Sequence, residues 1–172
     1  MTRLIGALLV VSATSLWGVE AALKLKDEYL QMQYMERILG SMKSRISYTR
    51  TDLEDVFRQI SAEVKEPYKG WLLEIAREME KNEGKMIAQI WHEQTKERLH
   101  TSGLSKNVID RVAQMGDCMG SADLELQIKN LELYMDELEQ RMDEMRPEIR
   151  EKVRVYHWLG VTGGVFISVL LL

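Results

Sequence analysis

This sequence predicts an all-helical fold, a compact bundle of about five or six helices flanked by a transmembrane helix at each end. Three observations carry the expectation. Apolar residues recur at three-and-four spacing through most of the middle of the chain. Only two prolines, Pro67 and Pro147, occur in 172 residues, and runs of Val, Ile and Thr are rare outside the ends. Charge is segregated: residues 4–19 and 155–172 carry none, and nearly all of it lies between Glu20 and Arg154. The expected organisation is a transmembrane segment over 1–24, a soluble bundle over 25–154 and a second transmembrane segment over 155–172.

The first apolar stretch, Leu4 to Leu23, reaches about 30 Å as a helix, the thickness of a hydrocarbon core. The second, Val155 to Leu172, reaches about 27 Å, adequate with snorkelling or local thinning. Trp17, Tyr156 and Trp158 stand at interfacial depth. Lys24, Lys26, Arg146, Arg150, Lys152 and Arg154 flank the soluble side, against Arg3 and the amino terminus on the other. The positive-inside rule then places the bundle in the cytoplasm. A rival stays open: the start of the chain, with Val19-Glu20-Ala21, also reads as a cleavable secretory signal. The product would be a secreted, tail-anchored interaction domain. Gly160 and Gly164, four apart, mark either a close helix contact in the membrane or lipid-facing glycines. Thr14, Gly18 and Ala22 read the same way.

In the middle, Met35, Ile38, Leu39, Met42 and Ile46 share one helix face, and this helix continues from the first apolar segment. Thr51-Asp52-Leu53-Glu54 reads as a capping box, followed by a buried face of Leu53, Val56, Phe57 and Ile60. Pro67 opens the next helix, with Trp71, Leu72, Ile75, Ala76 and Met79 inward until Gly84 interrupts. Met86, Ile87, Ile90, Trp91 and Leu99 predict a fourth helix ending near Thr101-Ser102-Gly103. Ser105 caps a short fifth, carrying Val108, Ile109, Val112 and Met115. The last helix carries a heptad seam of Leu124, Ile128, Leu131, Met135, Leu138, Met142 and Met145. That seam either packs on the other helices or joins a second copy in a homo-oligomer. Pro147 is expected to kink or break it.

No catalytic, cofactor or metal site emerges. His92-Glu93 opens like a zinc-protease motif, but Lys96 stands where the second His is required. His100 sits at a helix end, where an imidazolium suits the dipole. Cys118, the only cysteine, lacks a visible base. Gly84-Lys85 lacks the rest of a phosphate loop. Interleaved charge with a net of −4 offers no basic stripe for nucleic acid. The candidate helix-packing or partner-docking residues are Gly116, Gly120, Gly160 and Gly164, with Asp136, Glu137, Asp143 and Glu144 on the acidic last helix. For Gly116 and Gly120 the choice lies between backbone geometry and a docking surface. For the acidic residues it lies between a solvated face and a basic partner.

From Met35 onward the chain resembles the stage III sporulation protein AB family. Three stretches carry this: Glu36-Arg37-Ile38-Leu39 through Thr51-Asp52-Leu53-Glu54-Asp55-Val56-Phe57; Met115-Gly116-Asp117-Cys118-Met119-Gly120-Ser121-Ala122-Asp123; and Tyr156-His157-Trp158-Leu159-Gly160-Val161-Thr162-Gly163-Gly164 before the terminal leucines. Met115 and Met119 stand where the family has Leu, and Cys118 is not a family feature. The resemblance implies a part in the channel between mother cell and forespore. The chain would be a mother-cell membrane scaffold similar to secretion-system platform proteins. It would act with other stage III proteins and dock a cytoplasmic ATPase, protein AA.

Overall fold

A computed structural model describes residues 2–49, 52–81, 84–119 and 123–171. For residues 2–19, 21–22, 49, 153, 156–157, 159–161 and 163–171 it describes the backbone path only. The chain forms α1 (Thr2–Thr49), α2 (Leu53–Ser61), α3 (Tyr68–Glu80), α4 (Ile87–Arg98), α5 (Lys106–Met115) and α6 (Leu124–Leu171). Single 3₁₀ turns follow α4 (Leu99–Thr101) and α5 (Gly116–Cys118). No strand occurs among the described residues. The chain divides into two units: Leu30–Met142, and Met1–Tyr29 with Asp143–Leu172.

The Leu30–Met142 unit is the helical bundle. Successive helices pack on one another, α2 on α3, α3 on α4 and α4 on α5. α1 contributes Met32, Met35, Ile38, Leu39, Met42 and Ile46, all buried at the expected spacing. It reaches α2 through Arg45, whose guanidinium donates to Gln59 Oε1 (2.8 Å) and Glu63 Oε1 (2.6 Å). It reaches α3 through the tilted Tyr34 and Tyr68 rings, 5.1 Å apart. Within this unit α6 runs antiparallel to α1: Lys43 pairs with Glu132 at 2.7 Å, and three residues back Gly40 lies against Met135.

At the centre of the unit sits an aromatic cluster. Trp91 of α4 packs edge-on against Trp71 of α3, centroids 4.9 Å apart, and against Phe57 of α2 at 5.8 Å. All three are fully enclosed. Neither indole N–H is orphaned: Trp71 Nε1 donates to Thr95 Oγ1 (3.1 Å) and Trp91 Nε1 to the Val112 carbonyl (2.7 Å).

Several local expectations change. Thr51 lies outside the described residues, and Glu54 makes no reach-back cap: its Oε1 accepts from Arg58 Nε and Nη2, at 3.1 Å each. An arginine one turn on, also tied to Glu80, is a stronger partner than one backbone N–H. Pro67 occupies the N-cap of α3 rather than its first turn, after a cis Glu66–Pro67 bond. The Glu66 carboxylate accepts the Gly70 N–H there (2.9 Å), placing negative charge at the helix N-terminus. Met86 is 77% exposed, because it caps α4 instead of joining its inner face. Ser105 stands at the N-cap of α5 without a side-chain cap bond. Gly84 and Gly103 take positive φ (75° and 84°), in the connections that follow α3 and the 3₁₀ turn Leu99–Thr101.

On α6 the buried stripe is Gln127, Leu131, Tyr134, Leu138, Met142 and Met145: it keeps Leu131, Leu138, Met142 and Met145 of the expected seam and adds Gln127 and Tyr134. Leu124 is exposed at 42% and Ile128 and Met135 are half-buried. Most of the seam is thus buried within the chain. Nor does Pro147 break α6, which runs through it. The ring and the carbonyl it frees lie at exposed positions, Pro147 and Asp143, so the freed carbonyl is open to solvent. In the second unit Arg146 Nε donates to Tyr29 Oη at 2.9 Å, linking α6 to α1.

The apolar ends expected to span a membrane fall mostly on residues whose side chains are outside the description. Among the described residues no helix is long and apolar enough to cross a membrane. Replacing Thr95 by Val keeps the shape and strands the Trp71 indole N–H in a fully buried position. Urea unfolding followed by tryptophan emission is expected to show a loss of about 1–3 kcal/mol.

Candidate docking surface on the last two helices

The candidate residues cluster, in part, where α5 turns into α6. α5 ends at Met115, and the chain enters the 3₁₀ turn Gly116–Cys118. Gly116 is buried, and the reason for glycine is steric. A Cβ there would lie 2.6 Å from Trp91 Cγ and 2.9 Å from Trp91 Cβ, well inside contact distance. The bare backbone lets the turn press against the indole. This contact supports the geometric reading of Gly116. Its consequence is positional: the turn carries Asp117 and Cys118 to the surface beside α6.

There a groove of about 240 Å³ opens, lined by Arg111, Met115, Cys118, Leu133, Tyr134 and Glu137 among others. Its floor is Tyr134, 6% exposed, whose hydroxyl donates to the Val108 carbonyl at 3.2 Å. Burial, with Glu137 adding to it, pushes the Tyr134 phenol well above its ordinary range. One wall is the ion pair of Arg111 with Glu137, in which Nε donates to Oε2 at 3.2 Å and Nη2 also binds the carboxylate. Arg111 Nη1 holds Gln114 Oε1 at 3.2 Å. Cys118 is half-buried and unbridged. On α6, Leu133 in the groove lining is 58% exposed, and Leu126, one heptad earlier, is 46% exposed.

The remaining candidates separate. Glu137 is a wall of the groove, and Asp136 is exposed beside it. Asp143 pairs with Arg146 at 2.9 Å in the other unit, and Glu144 is exposed. Gly120 lies outside the described residues, as do the surroundings of Gly160 and Gly164 on α6. Sequence reasoning missed Leu126, Leu133 and Arg111. Leu126 and Leu133 form an apolar pair seven apart, a signal masked by the stronger buried stripe on the same helix. Among the described residues no cluster of three or more His, Cys, Asp or Glu could hold a metal ion. His100 lies at the end of α4 as expected, Nδ1 2.6 Å from the Glu97 carbonyl.

These features define a class of protein: a helical bundle with long terminal helices and a surface groove. The profile of the stage III sporulation protein AB family matches residues 3–172, and the chain belongs to that family. Stage III sporulation protein AB of Bacillus subtilis (strain 168) is 23% identical over 172 residues, covering the whole of both chains. A solved structure of stage III sporulation protein AB matches with a TM-score of 0.65 at 20% identity. It covers 72% of this chain and 97% of that one, and so agrees in fold. Membership implies a role in sporulation.

Two variants test the geometry. Gly116→Ala drives a methyl into Trp91 and is expected to lower stability by about 1–3 kcal/mol in urea unfolding. Tyr134→Phe removes one hydrogen bond, at a cost of about 0.5–1.5 kcal/mol near neutral pH. The raised Tyr134 pKa gives stability that is full below pH 10.0, its ordinary value, and is lost as pH rises above it. The Phe variant is therefore expected to lose less stability than the parent between neutral and strongly alkaline pH.

Proposed function

We propose that this chain is a membrane-anchored scaffold of the mother-cell to forespore channel, with its bundle in the cytoplasm as a platform for the ATPase, protein AA. The supporting observation is the form of the two terminal helices. α1 and α6 each run 48 residues without interruption, from the bundle into a stretch free of charge. A helix that leaves its bundle with an apolar surface all round needs an apolar solvent. At the inner end of each stretch stand exposed cations, Lys24 and Lys26 on α1 and Arg150 and Arg154 on α6. Their side of the membrane is the cytoplasm by the positive-inside rule. The helices' joint exit in one unit is supported by the Tyr29–Arg146 bond.

In this reading the chain does no chemistry. It fixes the position of a partner relative to the bilayer, and the partner hydrolyses the nucleotide. Two anchors favour this role: a bundle held at both termini keeps a defined face toward the cytoplasm. The mother-cell membrane is the location that the family implies for such a scaffold, and other stage III proteins are its companions.

Cys118 offers a test, being the only thiol. A membrane-impermeant maleimide is expected to leave it unlabelled in intact cells and to label it after lysis in denaturant. Labelling from outside would place the bundle beyond the membrane and favour the secreted, tail-anchored form. Protein AA is expected to co-purify with the detergent-solubilised chain, and its absence would remove the platform assignment.

A further inference from the structure

We propose that the groove between α5 and α6 is the docking site for a basic amphipathic helix of a protein partner, seated on Leu126 and Leu133. The reading deepens the platform assignment and rests on it for the partner's location. The chemistry comes from the surface itself. Leu126, Asn130, Leu133 and Glu137 follow at four, three and four residues, a second stripe on α6 separate from its buried one. Such spacing is the half of a helix pair that a facing helix completes. The groove beside it, about 240 Å³, is smaller than the 300–1,000 Å³ typical of cofactor pockets. It suits one or two large side chains of a docked segment. Its floor is Tyr134, pinned to Val108, so the site is formed before anything binds.

Charge selects the occupant. Along the stripe and the groove, Asp117, Asp123, Glu125, Asp136 and Glu137 outnumber Arg111, Lys129 and Arg141, the last lying near Tyr134. Arg111 is already bound to Glu137, which leaves the excess acidic. A second copy docking the same patch by two-fold symmetry would bring like charges together. An anionic membrane surface would be repelled. A helix with leucine-like residues at i and i+7 and lysines or arginines on its flanks meets both the apolar stripe and the acidic rim.

Cys118 lies in the groove wall and reports its occupancy. The full chain, in nanodiscs of neutral lipid, is treated with iodoacetamide in the presence of two synthetic helices. Both carry the same leucine stripe, one flanked by Lys and the other by Glu. The Lys helix is expected to slow Cys118 alkylation by about tenfold at saturation, and less at high salt. The Glu helix is expected to leave the rate unchanged. Leu133→Glu is expected to weaken the protection by about tenfold or more, as for a central anchor. Leu126→Glu serves as a second variant, and both positions are exposed enough for the fold, checked by circular dichroism, to survive. Peptide bound to lipid is common to all variants, so the difference between them is read.

No protection by the Lys helix, equal protection by the Glu helix, or protection that survives both substitutions would overturn the proposal. So would thiol protection that rises with protein concentration alone, which would make a second copy the occupant. Failure of protein AA to co-purify bears on the platform assignment instead, since the peptide measurement does not involve that ATPase.

Discussion

The bundle depends on one contact, the Trp91 indole against the bare backbone of Gly116. Trp91 touches Phe57 and Trp71 on one side and the turn after α5 on the other, with its N–H held by Val112. Through this one side chain α2, α3, α4 and α5 share a centre. Aromatic pairs of this kind contribute about 0.5–1.5 kcal/mol each beyond the area they bury. The larger effect is steric. A glycine at 116 sets how closely α5 and its turn approach α4, and that distance sets where Asp117 and Cys118 emerge.

Around this centre polar groups are used sparingly and locally. The fully enclosed polar side chain Thr95 accepts the Trp71 N–H, so burying two tryptophans leaves no indole donor unpaired. The ion pairs lie at the surface and bridge successive elements: Arg45 to Glu63, Arg58 to Glu80, Lys96 to Asp110, Arg111 to Glu137. Exposed pairs contribute little stability each, about 0–1 kcal/mol. Their effect is to favour one alignment of neighbouring helices over its alternatives. Stability comes from the apolar interior and alignment from the rim.

The surface of α6 carries two stripes with different fates. Leu131, Leu138 and Met142 face the bundle and fix the helix in place. Leu126 and Leu133 face outward beside an acidic rim. Single exposed leucines are ordinary on protein surfaces. Two on one face, next to a groove with a rigid floor and an uneven charge balance, are what the proposed docking site rests on. The membership of the chain in a family of sporulation proteins gives that pattern a setting.

What the sequence determined by itself was periodicity and segregation. The inner faces of α1, α2, α3 and α5 were legible because apolar side chains at three-and-four spacing have only one way to leave water together. The expectation for Gly116 was legible as a choice between geometry and docking. The support for geometry comes only from tertiary structure, because it rests on Trp91, distant in sequence. The same holds for α6: its heptad positions were readable, but which neighbouring positions join them inside depends on where α1 and α5 lie. Glu54 and Pro147 show the limit from the other side. A local motif states what a side chain can do with its neighbours in sequence, whereas Arg58 with Glu80, or the exposure of a freed carbonyl, enters only when the chain is folded.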